Sequence, residues 1–160
     1  MTLIAPLARC TTRELDDLLA RRDLVITIGE GELRGAAAAA ALFAGWSVLR
    51  DGASIVLDTP AAWAGAAWRI GDRAYARWLQ GKTEFDAAEA LREGLCDAAG
   101  DDDPETWIGS RSELALDSAA ALIRNRGGDA LERAEFARLF AAGEPQIGLR
   151  AFLGKQRPRF

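Results

Sequence analysis

Residues 23–45 read DLVITIGEGELRGAAAAAALFAG, and the junction inside them decides the fold. The β-branched run from Asp23 to Ile28, bounded by Gly29 and Gly31, predicts a buried strand. Six alanines follow, Ala36 to Ala41, and alanine has the best intrinsic helix propensity. The resulting helix has no polar face. An apolar perimeter implies burial on all sides, with the backbone pressed close to its neighbours.

Outward from this junction the signals stay local. Thr11-Thr12-Arg13-Glu14 fits a capping box opening a helix that runs to about Arg22. Ser47 to Leu49 and Ser54 to Leu57 predict two short strands around Asp51-Gly52, and Pro60 then opens helical territory. Helices are expected over 61–70, 72–79 and 85–92, the last closed by Gly94, with almost no further strand. The polar run Gly100-Asp-Asp-Asp-Pro104 marks an internal boundary, after which helices are expected over 111–126, 129–142 and 145–153. Trp46, Trp63, Trp68, Trp78 and Trp107 fall mostly on apolar helix faces and read as core or interface, and Tyr75 as packed.

Composition narrows the function classes. At 160 residues and 49% hydrophobic, the chain can build one compact core. A formal charge of -4 and a pI near 5.0 give no global basic field for nucleic acid or an anionic membrane. No apolar run approaches the roughly 18 residues that span a bilayer, and the first nine residues lack the charged start of a signal peptide, so a cytoplasmic protein is expected. Cys10 and Cys96 have neither metal-ligand spacing nor disulfide density, and no metal site is expected. The absence of histidine removes Ser-His-Asp and Cys-His nucleophile systems, leaving carboxylates, Lys, Tyr or Cys as acids and bases.

The strand, the turn Gly29-Glu-Gly31-Glu-Leu-Arg-Gly35 and the alanine helix also admit a βαβ nucleotide site, with a pyrophosphate at the helix N-terminus. The glycine spacing departs from that fingerprint, and Glu30 and Glu32 would face phosphate.

A different reading starts further along. Phe85-Asp-Ala-Ala-Glu-Ala-Leu-Arg-Glu-Gly-Leu95, preceded by Leu79-Gln-Gly81, resembles the segment that follows the active-site helices of the enoyl-CoA hydratase/isomerase (crotonase) family. Glu132 to Phe140, Gly148 to Lys155 and Arg157-Pro-Arg-Phe160 resemble its closing helices and tail, in the correct order. The resemblance implies an α/β, crotonase-like (ClpP/crotonase) fold reduced to a small sheet with a helical C-terminal half. It would form a single domain over 1–160, with sheet and active-site helix in 1–100 and a helical trimerisation part in 101–160.

Carried over residue by residue, the resemblance puts the backbone N–H of Ala36 at one of the family's two oxyanion donors for a thioester enolate. The family's first acid/base glutamate matches Ala39 and its second matches Thr59, so neither carboxylate is present. Asp58, one place from the second, is the candidate acid; its alternative role is to cap the helix after Pro60. Glu30 and Glu32 sit at a helix N-terminus, where the dipole lowers a carboxylate's pKa, the wrong direction for a general acid. Phe152 and Lys155 match positions that bring a ring and an ammonium to the adenine and phosphate end of coenzyme A; a core phenylalanine and a tail lysine are the alternative. The implied protein is a subunit of acyl-CoA or fatty acid metabolism without hydratase activity of its own, a pseudoenzyme whose possible ligand is coenzyme A or an acyl-CoA. It would form a homo-oligomer, a trimer or dimer of trimers, or assemble with a full-length crotonase. An active hydratase or isomerase using Asp58 is the competing reading, and a nucleotide-binding domain the third.

Overall fold

Strand β2 (Val25–Gly29) and helix α2 (Gly35–Phe43) occupy the quoted stretch, separated by the two-residue strand β3 (Glu32–Leu33). The structure, a computed structural model, describes residues 3–7, 9–21, 23–109, 111–125 and 128–160. The described chain divides into two units, one of Leu3–Arg21 and Val25–Asp102, the other built mainly from Asp103–Phe160.

In the first unit, β1 (Leu3–Pro6), β2, β4 (Trp46–Leu49) and β7 (Ala98–Ala99) form an all-parallel sheet in the order β1-β2-β4-β7. β2, α2 and β4 are one βαβ unit, with Ile28 opposite Val48. A second sheet, β3-β5-β6, adds β5 (Ser54–Val56) and the antiparallel β6 (Glu84–Asp86). Helices α1 (Thr12–Ala20), α3 (Pro60–Ile70), α4 (Arg73–Leu79) and α5 (Ala87–Glu93) complete the unit. The capping box at Thr11 and Glu14 is formed in both directions.

The alanine helix is the centre of the core. Ala38, Ala39, Ala41 and Leu42 are wholly buried, together with Leu49, Ile55, Leu57, Phe85 and Leu95. Against α2 lies α3, itself built from Ala61, Ala62, Gly65, Ala66 and Ala67. The approach is so close that a methyl added at Gly65 would stand 2.6 Å from Leu42 Cβ. Small side chains on both helices are therefore a packing requirement, because a denser pairing leaves no room for branched chains. Phe43 and Trp68 close one end, their ring centroids 6.2 Å apart.

Arg69 fixes the far end of α2. Its Nε donates to the Leu42 carbonyl at 2.8 Å, and its Nη2 to the carbonyls of Ala44 at 3.1 Å and Ala41 at 3.4 Å. Nη1 pairs with Asp97 at 3.0 Å, and the Asp97 carboxylate also accepts the Ser47 N–H at 2.7 Å. A cation on the last carbonyls of a helix satisfies acceptors that have no partner within the helix and complements its dipole.

Several expectations need correction. β1, β6 and β7 are strands that the sequence did not announce; Phe85 lies in β6, so α5 begins only at Ala87, capped by Asp86. β4 and β5 do not pair around Asp51-Gly52 but belong to different sheets. Tyr75 is exposed rather than packed, its ring centroid 5.7 Å from that of Trp78, and of the two alternatives for the tryptophans the core one fails for Trp46 and Trp78, which are also exposed. Trp63 and Trp68 are half-buried. The Trp107 side chain, Arg22 and Arg126 fall outside the described residues.

The second unit is helical: α6 (Pro104–Ile108), also unannounced, then α7 (Glu113–Arg124), α8 (Asp129–Ala141) and α9 (Glu144–Leu153). Ser112 rather than Arg111 opens α7, its hydroxyl accepting the Ala115 N–H. No described residue of α8 or α9 is fully buried, and Phe136, Phe140, Leu149, Phe152 and Leu153 are exposed. No helix among the described residues is long and apolar enough to cross a membrane.

Gly65→Val should lower the unfolding free energy by about 1–3 kcal/mol through overpacking, measured by denaturant titration. Gly148→Ala, in α9 with open space around it, should instead raise it by about 0.5–1 kcal/mol. Burial pushes the Cys96 thiol up to about 11 from 9.0. The unfolded thiol thus releases its proton first as pH rises, so stability should fall between about pH 9 and 11 in the wild type relative to Cys96→Ala.

Candidate functional site

The N-terminus of α2 brings together Ala36 and Asp58, two of the residues that the sequence singles out. β2 delivers the chain to the turn, Arg34 takes the N-cap position, and Gly35 starts the helix at a φ of +54°, a left-handed conformation that favours glycine. The Arg34 side chain does not cap the helix. Asp58 does so from across the fold: two residues beyond β5, its Oδ1 accepts the Gly35 N–H at 3.0 Å. Its Oδ2 stands 3.5 Å from Arg34 Nη1, and Arg34 also binds Glu32 through Nε and Nη2.

One amide is left over. The Ala37 N–H turns back to the Arg34 carbonyl at 3.0 Å, whereas the Ala36 N–H has no acceptor among the described residues. It is a half-buried donor at a helix N-terminus, suited to a carbonyl oxygen or an anion. The carboxylate of Asp58 is bound to the preceding amide.

The candidate acids and their replacements have distinct fates. Asp58 caps α2 and not α3, contrary to the expected alternative; Thr59 caps α3, its hydroxyl accepting the Ala62 N–H at 3.2 Å. Ala39, three residues beyond Ala36, is wholly buried among core side chains. Glu32 is held below the usual carboxylate range, first by its hydrogen bond to Arg34, which keeps it ionised at neutral pH. Glu30 is exposed. Ala36 and Asp58 are thus brought together, while Phe152 and Lys155 belong to the helical unit, Phe152 as the last-but-one residue of α9 and 79% exposed. The core-phenylalanine alternative fails for that reason. Lys155 is exposed just after α9, at a φ of +50°.

The roles of Arg34 and the Gly35 amide were not foreseen. Arg34 pairs locally with Glu32, but its contact with Asp58 and the capping of the Gly35 amide join residues more than twenty positions apart, so no local pattern could reveal them.

No protein-family profile matches the sequence, and no curated protein sequence matches it. Solved structures do. An enoyl-CoA hydratase/isomerase family protein from Hyphomonas neptunium superposes with a TM-score of 0.74 over 92% of this chain, at 22% identity. The chain has the crotonase fold. Enoyl-CoA hydratase subunit I from Geobacillus kaustophilus matches with a TM-score of 0.75 at 22% identity, and an enoyl-CoA hydratase from Polaromonas sp. with 0.75 at 21%, each over 92% of this chain. The crotonase-fold chain described here spans 64% of the Hyphomonas structure and 66% of the other two.

As a helix cap, Asp58 should contribute to stability independently of any chemistry. Asp58→Ala should cost about 1 kcal/mol in a denaturant titration, and Asp58→Asn less, because the amide oxygen still accepts the Gly35 N–H.

Proposed function

We propose that this chain is a crotonase-family subunit related to acyl-CoA metabolism that has lost enoyl hydration. The observation that carries the reading is Ala39: in place of an acid it puts a methyl wholly buried in the core, three residues beyond the Ala36 amide. A methyl transfers no proton. At the second position the Thr59 hydroxyl is committed to the α3 cap. General acids and bases each contribute about 10²–10⁴-fold, so losing both leaves hydration near background.

The neighbourhood of Ala36 supports the same reading. An enolate oxygen at its N–H would approach the carboxylate of Asp58, and like charges near contact in a partly dry site cost a few kcal/mol. The competing reading, an active hydratase or isomerase, draws on the same adjacency, since Asp58 is a carboxylate beside that amide. In our proposal 1–160 is one crotonase-like domain whose helical part mediates assembly, as a trimer or dimer of trimers or with a full-length crotonase, in the cytoplasm. Phe152 and Lys155 are the residues that would meet coenzyme A.

The purified protein mixed with a short enoyl-CoA thioester should leave the conjugated ultraviolet absorbance unchanged. A turnover in the ordinary range of about 1–10³ s⁻¹ that disappears in Asp58→Asn would replace this proposal with the active-enzyme reading. Coenzyme A should bind weakly or not at all in calorimetry; micromolar affinity that persists in Lys155→Ala would place the ligand elsewhere.

A further inference from the structure

Charge is unevenly divided along this chain. The last eleven residues hold four cations, Arg150, Lys155, Arg157 and Arg159, and no acidic side chain. The other 149 residues therefore carry 16 of the 20 cations and all 24 acids, a formal charge of -8. All four cations are exposed, and none forms an ion pair among the described residues. Apolar surface accompanies them: Leu153 is 72% and Phe160 50% exposed. The residue before a proline is kept out of the helical region, so Arg157-Pro158-Arg159 is biased toward an extended strap.

The opposite character lies on α8. An open groove of about 310 Å³ runs along Asp129, Glu132, Arg133 and Phe136, with the Phe140 ring 4.5 Å beyond that of Phe136. Asp129 and Glu132 are exposed in the helix's first turn and have no ion-pair partner among the described residues; Arg133 is the cation that lines the groove beside them. From residue 129 to 136 a helix rises about 10 Å, comparable to the reach of three or four extended residues. α8 has no fully buried residue and exposes Phe136 and Phe140 side by side, the kind of apolar surface that suits a protein contact.

We propose that the acidic and aromatic groove on α8 receives the Arg157–Phe160 strap of a second copy of this chain. The two arginines lie along Asp129 and Glu132 and Phe160 lies against Phe136. This deepens, and rests on, the reading above in which copies of the chain associate. Each copy offers one strap and one groove, so the contact closes by mutual exchange between two copies or around a ring of three. Its strength comes from the ring contact, while the charges select the register and make the contact sensitive to salt.

The test is the mass of the full chain in solution at micromolar concentration, by sedimentation or light scattering. A mass above that of the 17.2 kDa chain is expected near 0.1 M salt, shifting toward the single chain near 1 M, where the screening length falls from about 10 to about 3 Å. Arg157→Glu with Arg159→Glu should weaken association at least about tenfold, and so should Asp129→Lys with Glu132→Lys. Unchanged circular dichroism would show that either pair of surface changes leaves the fold intact. The chain carrying all four changes should associate again, because both signs are reversed together. A wild type that is a single chain at both salts overturns the proposal while leaving the hydration result untouched. An oligomer indifferent to either pair, or not restored by all four, overturns this contact while self-assembly stands. Co-sedimentation of a single-chain form with anionic lipid vesicles would assign the strap to a membrane surface and also overturn it.

Discussion

The closeness of α2 to α3 governs the first unit. At Gly65 the two backbones approach until not even a methyl fits, and that distance accounts for alanine on both sides of the contact. Alanine buries little area per residue, so the pair gains from backbone proximity and from the rings and leucines packed around it. Arg69 then links the parts: one guanidinium from the end of α3 joins three carbonyls at the end of α2 to Asp97, which precedes β7 and holds β4 through the Ser47 amide. A buried cation without these acceptors would be strongly destabilising, so helix pair and sheet edge stand or fall together.

The opposite end of the same helix has a different character. Its first amides face a small ionic cluster, Glu32 and Arg34 from the preceding turn and Asp58 from beyond β5, in which two carboxylates share one guanidinium. The cluster meets a structural need, because Asp58 supplies the cap that the Arg34 side chain does not. An anion at this place favours the helix dipole and disfavours a second anion there. The same carboxylate therefore stabilises the fold and, in the proposed function, opposes an enolate at the Ala36 amide.

The central elements were legible in the sequence because they are local. The capping box of α1, β2 and the alanine helix each declare themselves within a few residues. β1 is four residues ending in proline, β6 three and β7 two, too short for any periodicity to emerge. Phe85 looked helical because Ala87 to Glu93 are, and its strand pairing with Ile55 spans thirty residues. The site divides in the same way: the resemblance draws attention to Ala36, Ala39, Asp58 and Thr59, whereas the cap that Asp58 forms on α2 depends on the fold. Tyr75 is exposed although its type favours packing, because amino-acid type gives a tendency to be buried and not the side of the helix that faces the core.

The parallel sheet also has a bearing on synthesis. Its third and fourth strands, β4 and β7, are about fifty residues apart, and Ser47 and Asp97 join them through two hydrogen bonds, of 2.7 and 2.8 Å. Until Asp97 has left the ribosome, β4 presents an unpaired edge and Arg69 lacks its counter-charge. A nascent chain stalled before that residue would hold a helix pair already able to pack and a sheet still lacking its edge strand, so completion of this unit waits on Asp97 and the two β7 residues after it.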